Sequence, residues 1–120
     1  MKTNYEPNEP MISMRELEKK YNSMIKHYKS TVEGNRINCY TCVCGNKLKT
    51  IDMADGVTPF MISCNVCQGM AKSSFYQDIY PEIKPSIMWY RPTIEQCLKL
   101  RKKPNLLEHI LNGGLESKTI

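Results

Sequence analysis

Six cysteines in 120 residues are the side chains with the most chemistry to offer, and four of them fall into two closely spaced pairs. Cys42-Val43-Cys44-Gly45 comes first; Cys64-Asn65-Val66-Cys67-Gln68-Gly69 follows, with nineteen residues between Cys44 and Cys64. Thiolates are soft ligands, and zinc takes four of them in a tetrahedron when two turns each supply a pair. A glycine behind each pair suits such turns, because wrapping an ion asks for positive φ, which glycine adopts without penalty. The expected ligands are therefore Cys42, Cys44, Cys64 and Cys67 around one structural Zn2+. Cys39-Tyr40-Thr41-Cys42 also has the C-x-x-C form, so Cys39 with Cys42, or Cys39 with Cys44, stays open as the first half-site. Iron is the alternative metal for a four-cysteine set.

A closed four-thiolate site leaves no position for water or substrate, which argues against hydrolysis at the metal. The chain offers no paired carboxylates, no nucleophile beside a base and no phosphate-cradling glycine loop. It reads as a binding module, not an enzyme. Cys97 falls on the apolar face of an expected helix and reads as a core thiol, while His27 and His109 read as solvated or satisfied histidines. Lys99-Leu100-Arg101-Lys102-Lys103 is the one concentrated basic run. Lys99, Arg101, Lys102 and Lys103 are candidates for contact with nucleic-acid phosphates or an acidic protein face; the simpler reading is cations complementing a helix C-terminus. Arg36, Lys47, Lys49 and Lys72 would add a basic rim if the strands turned them one way. Phe60, Phe75, Tyr76, Trp89 and Tyr90 are able to stack on bases, but a thin β unit needs covering, and packing is expected for most of them.

The elements that must position these residues follow from periodicity. Residues 1–10, with Pro7 and Pro10, read as a loose arm. Ser13-Met14-Arg15-Glu16 has the capping-box form, and Met14, Leu17, Tyr21, Met24 and Tyr28 recur at helical spacing, with Gly34 as the expected stop. This short seam is expected to dock on its own domain, an exposed partner-binding helix being the alternative. Strands are expected over 37–42, 47–52, 58–63 and 70–76. Asp55-Gly56 is the expected hairpin turn between the second and third, and Pro59 belongs early in its strand or at a sheet edge. Residues 80–92, punctuated by Pro81, Pro85 and Pro92, read as an irregular wrap that lays Trp89 across the sheet. Thr93-Ile94-Glu95-Gln96 caps a helix running to about Lys102, which Pro104 ends. Asn105-Leu106-Leu107-Glu108 caps a last helix before Gly113-Gly114, and the final residues are expected to fray.

The expected fold class is α+β: a four-cysteine zinc ribbon of small antiparallel β, with an N-terminal amphipathic helix and two short C-terminal helices. Residues 1–34 form the arm and helix, 35–92 the ribbon core with its wrap, and 93–120 the C-terminal helices packed on the ribbon. With 41% hydrophobic and 24% charged residues the chain suits one small domain and excludes a large multi-domain enzyme. No run approaches the roughly 18 apolar residues of a membrane span, and the first residues lack the apolar centre of a secretory signal. A cytoplasmic location without membrane contact is expected, where a reducing environment keeps thiols open. The net charge of +5 is spread thinly along the chain. Four thiolates and one divalent ion would bring residues 35–92 to neutrality.

The segments Cys42-Val43-Cys44-Gly45, Asp55-Gly56-Val57-Thr58-Pro59-Phe60, Cys64-Asn65-Val66-Cys67, Ser73-Ser74-Phe75-Tyr76, Trp89-Tyr90-Arg91-Pro92 and His109-Ile110-Leu111-Asn112-Gly113-Gly114-Leu115 together resemble small zinc-ribbon proteins encoded by bacteriophages and related mobile elements. The resemblance covers residues 40–115. It implies the ribbon fold, the zinc, and a viral or prophage source with the host cell cytoplasm as location; the group carries no settled activity. The expected function is a non-catalytic accessory protein contacting a host or viral protein. The alternative is a nucleic-acid-binding regulator of transcription or replication that uses the 99–103 run.

Overall fold

Ser13 starts the first helix as its sequence demands: its side chain accepts a hydrogen bond from the Glu16 amide at 3.1 Å, and helix α1 runs Met14–His27. The computed structural model describes residues 11–28 and 36–120, so the arm over residues 1–10 and the Gly34 stop lie outside the described residues. Tyr28 already has extended backbone, and α1 therefore closes there. Glu16 and Lys20 pair at 3.5 Å on its outer face, a contact worth only a few tenths of a kcal/mol. Leu17 and Met24 are buried, and the Tyr21 hydroxyl donates to the Pro92 carbonyl at 2.8 Å. The seam thus docks on its own chain.

Helix α2 spans Ile94–Lys99 with the Thr93–Gln96 capping box formed on both sides. It is shorter than the expected run to Lys102. Pro104 begins helix α3, Pro104–Leu111, whose N-cap is Lys103 with no side-chain cap bond. The sequence reading had Asn105 as the cap, but proline is favoured in the first turn because no partner is needed there for the amide it lacks. Leu17, Cys97, Leu107 and Ile110 from the three helices form one buried cluster.

Among the described residues six strands form one sheet, in the order β3-β4-β1-β2-β5-β6, with β1 Arg36–Cys42, β2 Lys47–Asp52, β3 Met61–Ser63, β4 Met70–Ser73, β5 Ile87–Tyr90 and β6 Glu116–Thr119. The architecture is mixed α+β. Strands β1 and β2 pair antiparallel from Thr41 opposite Lys47 to Arg36 opposite Asp52, and β3 pairs with β4 in a second hairpin. Asp55-Gly56 is no hairpin turn: β2 and β3 lie at different places in the sheet, and residues 53–60 cross between them. Pro59 precedes β3, and its carbonyl accepts from the buried Tyr40 hydroxyl at 2.8 Å. The expected wrap over 80–92 contains β5, which pairs parallel to β2 and places Trp89 opposite Asp52. The tail expected to fray is β6, antiparallel to β5. The sheet therefore extends past residue 92.

Two further buried clusters are small. One holds Tyr40, Cys42, Leu48, Cys64 and Ala71 inside the two hairpins; the other holds Ala54, Trp89 and Leu115. Gly56 and Gly113 meet where Val57 and Gly114 form an isolated bridge, with the Val57 amide donating to the Gly113 carbonyl at 2.8 Å. Among the described residues no helix is long and apolar enough to cross a membrane.

Candidate metal centre

Two turns at one end of the sheet carry the four paired cysteines. Cys42 is the last residue of β1 and Cys44 lies in the turn to β2; Cys64 directly follows β3 and Cys67 lies in the turn to β4. Because β1 and β4 are hydrogen-bonded neighbours, with Cys42 opposite Ala71, the two turn tips sit side by side. All four Sγ atoms fall within 4.8 Å of one another. Cys42 Sγ is 3.3 Å from Cys67 Sγ, and Cys44 Sγ is 3.7 Å from Cys64 Sγ. A disulfide needs about 2.05 Å, so these are not bonded pairs. Sulfurs held about 2.3 Å from a central zinc stand about 3.8 Å apart along the tetrahedron's edges, close to the separations here. The cluster has the size and donor set to hold one ion, and sulfur donors favour zinc or iron over hard cations.

Glycine serves the two turns differently. Gly45 has φ +92 and its amide donates to the Cys42 carbonyl at 2.9 Å, which is the strained turn the sequence implied. Gly69 does not take positive φ; Gln68 does, at 66. What Gly69 supplies is room, since a Cβ there would lie 3.2 Å from Cys67 Sγ. Its amide instead approaches that sulfur at 3.4 Å, as the Val66 amide approaches Cys64 Sγ at 3.4 Å. Asn46 Nδ2 adds a 3.5 Å contact to Cys64 Sγ.

These contacts move two of the thiols in opposite directions. The Cys67 and Val66 amides pull the Cys64 thiol down to about 6. At Cys42 the Cys44 amide pulls the same way, but the hydrogen bond to Cys67, burial and the neighbouring thiols outweigh it, and the thiol is pushed up to about 12. Cys42 and Cys64 are buried, whereas Cys44 and Cys67 are exposed.

Cys39 lies outside this cluster. It is fully buried as the fourth residue of β1, with Sγ 3.7 Å from Asp78 Oδ1, and Cys97 is buried among the helices. Neither histidine joins the four sulfurs. Of the basic run, Lys99, Lys102 and Lys103 are exposed, whereas Arg101 Nε donates to the Ile12 carbonyl at 2.9 Å and ties down the approach to α1. The expected rim is only half formed. Lys47 and Lys72 flank Thr41 on one sheet face, but Lys49 is buried with Nζ 2.8 Å from Asp78, and Arg36, on the other face, pairs with Asp55 at 3.1 Å. Packing was expected for most of the aromatic rings; Trp89 is buried, yet Phe60 and Phe75 are 70% and 71% exposed.

A second polar cluster, invisible in the sequence, sits beneath Phe75. Asn38 Oδ1 accepts from Ser73 Oγ, Ser74 Oγ and the Tyr76 amide, and the Tyr76 hydroxyl donates to Asp52 Oδ2 at 2.8 Å. Asp52 is 1% exposed, and among the described residues its Oδ1 takes no hydrogen bond. Burial raises the Asp52 carboxyl above its ordinary 3.8, despite the Tyr76 hydrogen bond and the charge of Arg36. A carboxyl raised on folding contributes stability that is complete below its unfolded value and lost as pH climbs through the folded one. Asp52→Asn cannot ionise and still offers Tyr76 an oxygen. It is expected to raise Tm over wild type at about pH 8 and to gain progressively less toward about pH 5, read by thermal scans across that window.

Comparison of the chain with family models, with curated proteins and with solved structures finds no match.

Proposed function

We propose that the cluster holds one structural Zn2+ and that the protein is a non-catalytic zinc-ribbon binding module, a phage accessory protein that contacts a host or viral protein. The observation that carries this reading is the meeting of four sulfurs at two adjacent turn tips. Four thiolates complete zinc's preferred shell, so the ion would cross-link the two hairpins and offer no position for a substrate. The phage source rests on the resemblance of the motif segments. A groove of about 940 Å3 between α1 and α3, lined by Met24, Leu107 and Leu111 and rimmed by Glu16, Lys20 and Glu108, gives a partner a concave surface.

Two measurements test the parts separately. Cobalt should bind one per chain with the absorption of a tetrahedral thiolate site; Cys→Ser at position 42, 44, 64 or 67 should break the stoichiometry, and Cys39→Ser and Cys97→Ser should not. Tagged, zinc-loaded protein should recover a stoichiometric protein from host lysate, and Leu111→Asp in the groove should lose it. Recovery of no such protein counts against the partner reading.

Nucleic-acid binding is the second reading, supported by Lys47 and Lys72 on one sheet face and by the exposed Lys99, Lys102 and Lys103. Phosphate contacts make affinity fall steeply with salt. Titration against single- and double-stranded DNA and RNA at two ionic strengths checks it, and little binding at low salt removes it.

A further inference from the structure

Among the described residues the sheet has two unpaired edges, and they differ in kind. β6 alternates Glu116 and Lys118 with Ser117 and Thr119, the charged, polar composition that keeps an edge from pairing with other chains. β3 has no such protection: residues 56–71 contain no Asp, Glu, Lys or Arg. Toward β4, the Ser73 amide donates to the Phe60 carbonyl and the Cys64 amide to the Gly69 carbonyl. By antiparallel alternation, the N–H and C=O groups of Met61 and Ser63 point away from the sheet.

The flank of this edge is apolar and exposed. Met61 is 44% exposed at this edge, and the exposed Phe60 and Phe75 rings lie with centroids 5.7 Å apart. Phe75 and Tyr76 both take positive φ, at 56 and 66, a conformation costly for bulky side chains. The Phe75 amide on Ser73 Oγ, the Tyr76 amide on Asn38 Oδ1 and the Tyr76 hydroxyl on Asp52 hold the turn there. Strain that leaves a phenylalanine ring in water gains no burial within this chain.

We propose that β3 is a self-association edge, on which a second copy of this chain adds its own β3 antiparallel about a two-fold axis at Ile62. In that register Met61 of one copy exchanges N–H and C=O with Ser63 of the other, twice over, and the Phe60–Phe75 pairs close above the seam. Charge selects the occupant. The chain carries +5, and this uncharged stretch is where two identical cations approach without opposing like charges. The two Lys72 residues would stand three strand spacings apart, about 14 Å, beyond the screening length of about 8 Å at physiological salt.

The inference rests on the metal-held ribbon, since β3 ends at Cys64, and zinc content is therefore measured alongside. Sedimentation of zinc-loaded protein from low micromolar to several hundred micromolar should show the mass rising from one chain to two. M61E/S63E, which sets glutamates opposite each other in both hydrogen-bonded pairs, should stay a single chain throughout with its zinc retained, and Phe75→Ser should weaken the dimer about ten-fold or more. A zinc-loaded wild type that stays monomeric, including one captured by a different protein, overturns the self-association and leaves the metal reading standing. So does a dimer that persists in M61E/S63E. A wild type without zinc overturns both.

Discussion

Stripping the metal with a chelator at neutral pH is expected to unfold residues 36–76, seen as loss of amide dispersion across β1 to β4 and of β signal in circular dichroism. The two hairpins bury only Tyr40, Cys42, Leu48, Cys64 and Ala71 as their own cluster, with Ile62 partly buried beside it. Two of those five are the sulfurs themselves. A core this small does not offset the entropy of ordering some forty residues at about 1–2 kcal/mol each. Four-thiolate zinc contributes about 10–16 kcal/mol in small peptides at neutral pH, so the proposed ion would be the dominant local term. The helical cluster of Leu17, Cys97, Leu107 and Ile110 contains no ribbon residue, so part of the helical signal should survive. Refolding should need zinc and release protons as the Cys42 thiol, held high in its absence, gives way to the ion. A chelated protein that keeps full β dispersion would end the interpretation.

The second large effect is expected from methyl groups added where β6 closes the molecule. Gly113→Ala faces two penalties: its φ of +99 disfavours any side chain, and its Cβ would lie 2.3 Å from the Tyr28 ring. Left-handed strain of about 1–2 kcal/mol and overpacking of about 1–3 kcal/mol give a loss of about 2–5 kcal/mol. Gly56→Ala has ordinary backbone but meets the Gly113 carbonyl oxygen at 2.6 Å and Leu115 at 2.8 Å, for a loss of about 1–3 kcal/mol. Gly45→Ala, with positive φ but nothing within 4 Å of the new carbon, should cost only the strain, about 1–2 kcal/mol. Denaturant melts of zinc-loaded proteins rank the three. Metal stoichiometry should hold in Gly56→Ala and Gly113→Ala, because the crossing lies outside the cysteine turns.

The cysteine arrangement was legible because spacing alone constrains it: two short-spaced pairs separated by a hairpin's length have few other uses. The Ser13 N-cap and the Thr93 capping box were legible for the same local reason. What escaped was non-local. β5 needs a parallel partner thirty-odd residues upstream, and nothing in Ile87-Met88-Trp89-Tyr90 between prolines names β2 as that partner. β6 is an edge strand of Glu-Ser-Lys-Thr, with no apolar alternation to detect. The exposed Phe60 and Phe75 were expected to pack because apolar rings usually do; the Asn38 and Asp52 cluster that holds the turn outward joins residues far apart in the chain. Gly69 carried the right residue for a different reason, room beside sulfur instead of backbone freedom. Gly113-Gly114 was read as the stop of the last helix and within a resemblance, and it has a further, steric cause: a Cβ at either position collides with Tyr28 or His109.

Strands β1 to β4 are consecutive along the chain, whereas the other half is closed by β6, the last element. As the ribosome makes this protein, every sulfur of the cluster has emerged by Cys67 and the hairpin pair is complete by Ser73, while Gly113 to Thr119 are still unmade. A translation product cut short before Gly113 would thus still hold all four cysteines, and the proposed ion would find its whole donor set, while Trp89 lay uncovered by Leu115.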